Sequence, residues 1–174
     1  MVFRWIGRLL ARSEPLMAKQ LRAVELQERN KGYRLEFMDQ IPVAEFAAAR
    51  DHPALQEAER LFQEILQHRE GLAPGARAVT SFQLAMLYRA QGRLDEAEAI
   101  FEALIHECRS AAEATAETEW VLCRALLRYA ERRIRQDQAL GRALLEESLE
   151  IAVNRKDQDA IRENEWARKH FGLA

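Results

Sequence analysis

The sequence predicts an all-α chain arranged as a short stack of helical hairpins, and three observations lead there. Ala, Leu, Glu, Arg and Gln dominate the 174 residues, while there are only 7 Gly and 4 Pro, a balance that suits helices and starves sheets. Apolar residues recur at spacings of three and four along most of the chain. The chain also repeats itself: Glu57–Leu66, EAERLFQEIL, returns 39 residues later as Glu96–Ile105, EAEAIFEALI. In that repeat Ala58 and Phe62 recur as Ala97 and Phe101. A chain of this length fits one domain able to bury roughly two thirds of its unfolded surface.

Taken in order, residues 1–13 read as a basic amphipathic helix. On a helical wheel at about 100° per residue, Val2, Phe3, Trp5, Ile6, Leu9 and Leu10 fall on one arc, with Arg4, Arg8 and Arg12 opposite. Such a helix caps the first hairpin, docks into a partner's groove or lies on an anionic membrane surface, and the look of a mitochondrial presequence stays open beside these. Residues 14–41 form a further helical segment. Within it Tyr33, Leu35 and Phe37 alternate like a strand, but a lone strand has no partner here, so Tyr33, Phe37 and Ile41 are assigned to a helix.

The first hairpin spans 42–75, with a short helix over Pro42–Arg50, a turn at Asp51-His52-Pro53 and a second helix over Ala54–His68. Pro74-Gly75 reads as the loop that follows. The central hairpin, 76–111, runs through Ala76–Ala90, turns at Gln91-Gly92-Arg93, where Gly supplies the left-handed residue past a helix end, and continues from an acid-led first turn at Asp95. The third, 112–155, pairs Ala116–Arg135 with Ala139–Val153. In it Leu140 and Ala143 echo Leu94 and Ala97 at an offset of 46 residues, and Glu147 falls where an aromatic is expected. Residues 156–174, with Ala160–Phe171 polar apart from Ile161, Trp166 and Phe171, close the stack as a C-terminal capping helix.

Leu84, Ala85, Tyr88, Gly92, Leu94, Ala97, Phe101 and Leu104 stand in an order and spacing that resemble the tetratricopeptide repeat. Ser81-Phe82 takes the place where that family often carries Trp. The resemblance implies a right-handed superhelical α-solenoid of about three hairpins, whose first helices line a concave groove for a segment of another protein. It thereby implies an adaptor, scaffold or assembly factor without catalysis. Met86 stands where family members that clamp a C-terminal carboxylate carry Asn, which speaks against that specialised activity.

Candidate contacts follow from helix faces. Val79, Phe82, Met86 and Arg89 share a face of the central hairpin's first helix and are expected either as an apolar groove floor with one cation or as ordinary core. Arg124, Arg128, Arg132 and Arg135, at steps of four, four and three, form a ridge on the next first helix. That ridge either selects an acidic partner segment or is a solvated face balanced by Glu113, Glu117, Glu131 and Asp137, since the planar guanidinium suits carboxylate or phosphate. The alternative function is a peripheral membrane or complex-bound subunit, anchored by Phe3, Trp5, Ile6, Leu9 and Leu10 with Arg4, Arg8 and Arg12.

Other classes find little support. The 26 basic and 28 acidic residues leave a net charge of -2, which gives no bias toward nucleic acid. Four lysines against 22 arginines read as coding bias. Cys108 and Cys123 have no ligand-like spacing and read as buried free thiols in a reducing cytoplasm. No apolar run approaches the roughly 20 residues of a membrane span, and Arg8 and Arg12 interrupt what would be a secretory signal. His52, His68, His106 and His170 form no HExxH pair, and no GxGxxG, GxxxxGK or GxSxG segment occurs. No enzyme, cofactor or metal is expected, and the chain is placed in the cytoplasm, peripheral to a membrane if its N-terminal helix is an anchor.

Overall fold

The computed structural model describes residues 14–68, 72–111 and 114–173. The expected N-terminal helix, with Phe3, Arg4, Trp5, Ile6, Arg8, Leu9, Leu10 and Arg12, lies outside them, as does Glu113. The described residues are helical, without strands: α1 Glu14–Arg29, α2 Val43–Arg50, α3 Pro53–Gln67, α4 Pro74–Ala90, α5 Leu94–Ser110, α6 Ala116–Arg133, α7 Gln138–Asn154 and α8 Gln158–His170. None of these helices is long and apolar enough to cross a membrane. The chain divides into two compact units, Met1–Ile100 and Phe101–Ala174.

Local chemistry sets the helix ends. His52 Nδ1 accepts from Ala54 N at 3.3 Å ahead of Pro53. Pro74 begins α4 as its first residue, so Pro74-Gly75 is helix and not the expected loop; proline's missing N–H costs nothing in a first turn. Thr115 and Thr118 cap α6 reciprocally, side chain to main chain, at 3.2 and 2.8 Å. Asp137 and Asp157 cap α7 and α8, each accepting a main-chain N–H at 3.0 Å. At the other ends, Lys31, Gly92, Lys156 and Gly172 take φ of 57°, 71°, 57° and 65°. Each is followed by an N–H that bonds back into the helix, as Arg93 N does to Tyr88 O at 2.9 Å.

In the first unit, α3 packs between α1 and α4, with the short α2 against it. Leu55, Ala58, Leu61, Phe62 and Ile65 make the inner stripe of α3, against Ala23, Val24 and Leu26 of α1. The α4 helix is buried on nearly every face, from Ala76 and Ala78 to Tyr88 and Ala90, the mark of a central helix. A Cβ at Gly32 would lie 2.7 Å from Leu55 Cδ2 and 3.0 Å from Leu87 Cδ1, so a bare backbone is what lets the α1 terminus sit this close. Gln27 spans the same spot, donating to Gly32 O at 3.0 Å and to Gln83 O at 2.9 Å.

The segment 33–41 is not the expected helix. Only Met38–Gln40 makes a single 3₁₀ turn, and Phe37 and Ile41 are buried while Leu35 is exposed. Two forces hold it open. Pro42 biases Ile41 to extended backbone, seen as φ -93° and ψ 121°. Arg89 of α4 donates to the carbonyls of Arg34, at 2.7 Å, and of Glu36, so acceptors that a helix would use internally are satisfied from outside.

In the second unit, α6 and α7 form a hairpin and α8 packs back on both. The α7 inner stripe is Gly141, Leu144, Leu145, Ser148 and Ala152, whereas Leu140 is 42% exposed and Ala143 is exposed too. The expected offset of 46 is therefore corrected: Gly141 and Leu145 stand 44 residues after Ala97 and Phe101. Leu145, an aliphatic side chain, fills the place where an aromatic is expected, and Glu147 lies off the buried stripe. Ala58, Ala97, Gly141 and Ala160 all occupy the same station, a small residue four before Phe62, Phe101, Leu145 and Asn164, and all eight are buried.

Candidate functional site

Two sets of residues singled out by spacing are placed inside the chain. Val79, Phe82, Met86 and Arg89 are 8%, 1%, 0% and 3% exposed. They are core and not the open floor of a groove, and Arg89 spends its guanidinium on the main chain of 33–41. The arginine ridge divides. Arg135 lies beyond the end of α6 and is exposed, Arg132 is half-buried, and Arg133 lies over the Tyr129 ring at 4.9 Å. Arg124 and Arg128 point inward, with side chains 11% and 2% exposed.

These two arginines gather carboxylates from α8 and from its N-terminal cap. Arg124 donates to Glu163 at 2.6 Å and to both carboxylate oxygens of Asp157 at 3.5 and 3.4 Å. Arg128 donates to the other oxygen of Glu163 at 2.8 Å. One carboxylate of α8 is thus shared by two guanidinium groups one helical turn apart on α6, a planar, charge-assisted arrangement with directional demands. Asp157 also caps α8 through Ala160 N, which fixes its position before it meets Arg124. For Arg124 and Arg128 the expectation of a solvated face is corrected: both are turned inward and pair with Asp157 and Glu163. Neither acid was identifiable from spacing, because they lie 33 to 39 residues downstream.

Beneath the ion pairs runs a buried neutral network. Ser148 Oγ donates to Cys123 O at 2.8 Å, Cys123 Sγ to Ser148 O at 3.3 Å, and Asn164 Nδ2 to Ser148 Oγ at 3.0 Å and Ala160 O at 2.9 Å. It ties α6, α7 and α8 together. Burial pushes the Cys123 thiol above its ordinary pKa, with the Ser148 hydrogen bond opposing. Cys108 is driven up to about 11 by burial and by Glu107. Both are neutral thiols near pH 7, a state opposite to that of a nucleophilic cysteine.

The first unit has its own charged clamp at the α4–α5 turn. Arg93 pairs with Glu59 at 2.7 Å and Glu96 at 2.6 Å, and its guanidinium lies 3.8 Å from the Tyr88 ring centroid. The Tyr88 hydroxyl accepts from Gln63 at 3.0 Å. Hydrogen bonding from Arg93 holds the Glu96 carboxyl below its usual range, and burial raises Tyr88. An open depression of about 640 Å³ runs along α1 between Ala18, Leu21, Arg22, Glu25, Glu28 and Arg29. Arg22 and Arg29 there pair with Glu25 at 3.4 and 2.9 Å, as exposed neighbours on one helix, which is ordinary surface chemistry.

The histidines are dispersed. His52 caps α3, His68 ends it, His106 is exposed on α5, and His170 stacks on Trp166 with ring centroids 4.8 Å apart. No group of three His, Cys, Asp or Glu side chains able to hold a metal ion occurs among the described residues. Comparison with known proteins yields no matching family model, no similar curated protein and no matching solved structure.

Proposed function

We propose that this chain is a non-catalytic protein-interaction module, an adaptor, scaffold or assembly factor that holds a segment of another protein on a helical-hairpin framework. The observation that carries the reading is the repeated helix face. Ala58 with Phe62, Ala97 with Phe101 and Gly141 with Leu145 put a small residue and then a bulky apolar one on the inner stripe of successive second helices, all buried. Repetition of this kind builds rigid frameworks whose outer faces are left for recognition. The spacing of Leu84, Ala85, Tyr88, Gly92, Leu94, Ala97, Phe101 and Leu104 that resembles the tetratricopeptide repeat is consistent with it. Gly92 takes the left-handed conformation this turn needs, Leu94 is half-buried, and the other six are buried. Arg124 and Arg128, gathered on one helix face and engaged with carboxylates, supply a chemistry suited to an acidic partner.

Amine-reactive cross-linking in the native cell, read by mass spectrometry, tests this. Lys19, Lys31, Lys156 and Lys169 report on both units. The expected result is one protein recovered reproducibly with cross-links to these lysines and re-forming a complex with the purified chain. Recovery of no protein above an untagged control, or turnover of a substrate by the purified chain, overturns the proposal.

A further inference from the structure

The second unit directs Arg124 and Arg128, with side chains 11% and 2% exposed, at carboxylates of α8 and its cap. The fully buried stripe of α8 consists of Ala160, Asn164 and Ala167, two methyl groups and an amide, while Trp166 on the same helix is 43% exposed. Such small side chains remove little apolar surface from water, so the apolar hold on α8 comes mainly from Ile161, packed against Cys123, Ala152 and Ala160, and from buried Leu173 beyond its end. What α8 has in quantity is polar: Glu163 to Arg124 and Arg128, Asp157 to Arg124, and Asn164 to Ser148. An incoming carboxylate offers a guanidinium group the same acceptors as Glu163 and Asp157 do, so exchange leaves the buried charge paired. The Glu163 and Asp157 side chains are 25% and 22% exposed, whereas those of Arg124 and Arg128 are 11% and 2% exposed, so a competing carboxylate gains the guanidinium groups only as α8 moves away.

We propose that Arg124 and Arg128 form a binding site for carboxylates of an acidic protein segment, and that α8 occupies it as a displaceable internal ligand through Glu163 and Asp157. This rests on the interaction-module reading above and names the chemical class of its partner. The chain is then self-inhibited: apparent affinity for the acidic segment is reduced by the fraction of molecules in which α8 is displaced. The same arrangement makes the site selective, since a segment with a single carboxylate replaces only one of the two that α8 provides.

The test uses the full chain and a fluorescein-labelled decaglutamate peptide, followed by anisotropy at low salt. Asp157→Asn with Glu163→Gln removes both charges while leaving Asn, itself a good helix cap, at the start of α8. Binding at least tenfold tighter than that of the unaltered chain, with the gain abolished when Arg128→Gln is added, is the expected result. Equal affinity for the unaltered and neutralised chains overturns the internal-ligand proposal and leaves the scaffold reading to the cross-linking experiment. Absence of binding to either chain overturns the carboxylate site itself. Hydrogen exchange on the unaltered chain needs no substitution: saturating decaglutamate should accelerate exchange in residues 158–170 at least tenfold with 116–133 and 138–154 unchanged. Inorganic phosphate at equal ionic strength should not reproduce this. Uniform exchange across the three helices, or an equal response to phosphate, contradicts the proposal.

Discussion

Gly141 sets two effects of opposite sign against each other, and the structure decides between them. Replacing a helical glycine by alanine ordinarily stabilises by up to about 1 kcal/mol, since glycine surrenders more backbone freedom on folding. A Cβ at this position, however, would lie 2.5 Å from Ile134 Cα and 2.7 Å from Ile134 N. Ordinary carbon–carbon contacts sit at roughly 3.5–4.0 Å, so the first turn of α7 must retreat by about 1 Å from the main chain that ends α6. Ile134 Cγ1 lies at 2.5 Å as well, but a rotation of that side chain leaves both main-chain contacts in place. The retreat also strains the Asp137 cap, through Leu140 N at 3.0 Å and Gly141 N at 2.9 Å. Overpacking of this kind costs about 1–3 kcal/mol, and the upper part of that range applies when both surfaces are backbone. Gly141→Ala is therefore expected to destabilise the second unit by about 1–2 kcal/mol net, lowering Tm by roughly 2–8 °C. Urea unfolding followed by far-ultraviolet dichroism and by tryptophan fluorescence measures it, because Trp120 and Trp166 both lie in that unit. Ala143→Gly, on the exposed side of the same helix, provides the pure propensity reference at about 1 kcal/mol. A Gly141→Ala midpoint equal to or above that of the unaltered chain refutes the close-contact argument.

Arg89→Met should cost about 3 kcal/mol, because the carbonyls of Arg34 and Glu36 lose a charged donor; faster hydrogen exchange confined first to 33–41 is the signature to look for. Phe62→Ala, at 0% exposure, should cost about 3–5 kcal/mol, read from the same urea titration through the far-ultraviolet signal. The raised thiols make stability depend on alkaline pH: a folded pKa above the unfolded value favours the native state fully below about 8.5. That advantage is lost as pH climbs toward the Cys108 value of about 11, with Cys123 acting in the same direction. A denaturation midpoint flat from pH 8.5 to 11 contradicts this. Both cysteines should also resist dithiobisnitrobenzoate at pH 8 until urea is added, and immediate reaction of either would place it at the surface.

The helices were legible because each carries an amphipathic stripe, and their ends fell within a residue or two where Gly92, Pro53 or an aspartate cap marked them. The register of α7 was not legible from similarity of residue type: Leu140 and Ala143 look like Leu94 and Ala97 but face outward. The informative residue was Gly141, a glycine within a helical pattern, which signals close backbone approach more reliably than a shared Leu or Ala. Segment 33–41 was misread because its main-chain partners come from Arg89, 53 and 55 residues away, a distance at which local periodicity is silent. Spacing likewise showed that Arg124 and Arg128 share a face, but a face points toward solvent or toward another helix only once the partner is in place. The carboxylates that meet them belong to a helix whose own sequence reads as a polar cap.

The recurring small station carries a consequence for how such a chain tolerates change. Ala58, Ala97, Gly141 and Ala160 are all buried, and a library of single substitutions should show four sharp minima there, deeper for Gly141, where even a methyl group collides. Between them, the outward positions of the same helices accept almost any hydrophilic residue. Drift is thus channelled onto the outer surface while a handful of methyl-sized sites hold the spacing of the helix axes within each unit, so binding preferences are free to diversify on a framework that barely moves.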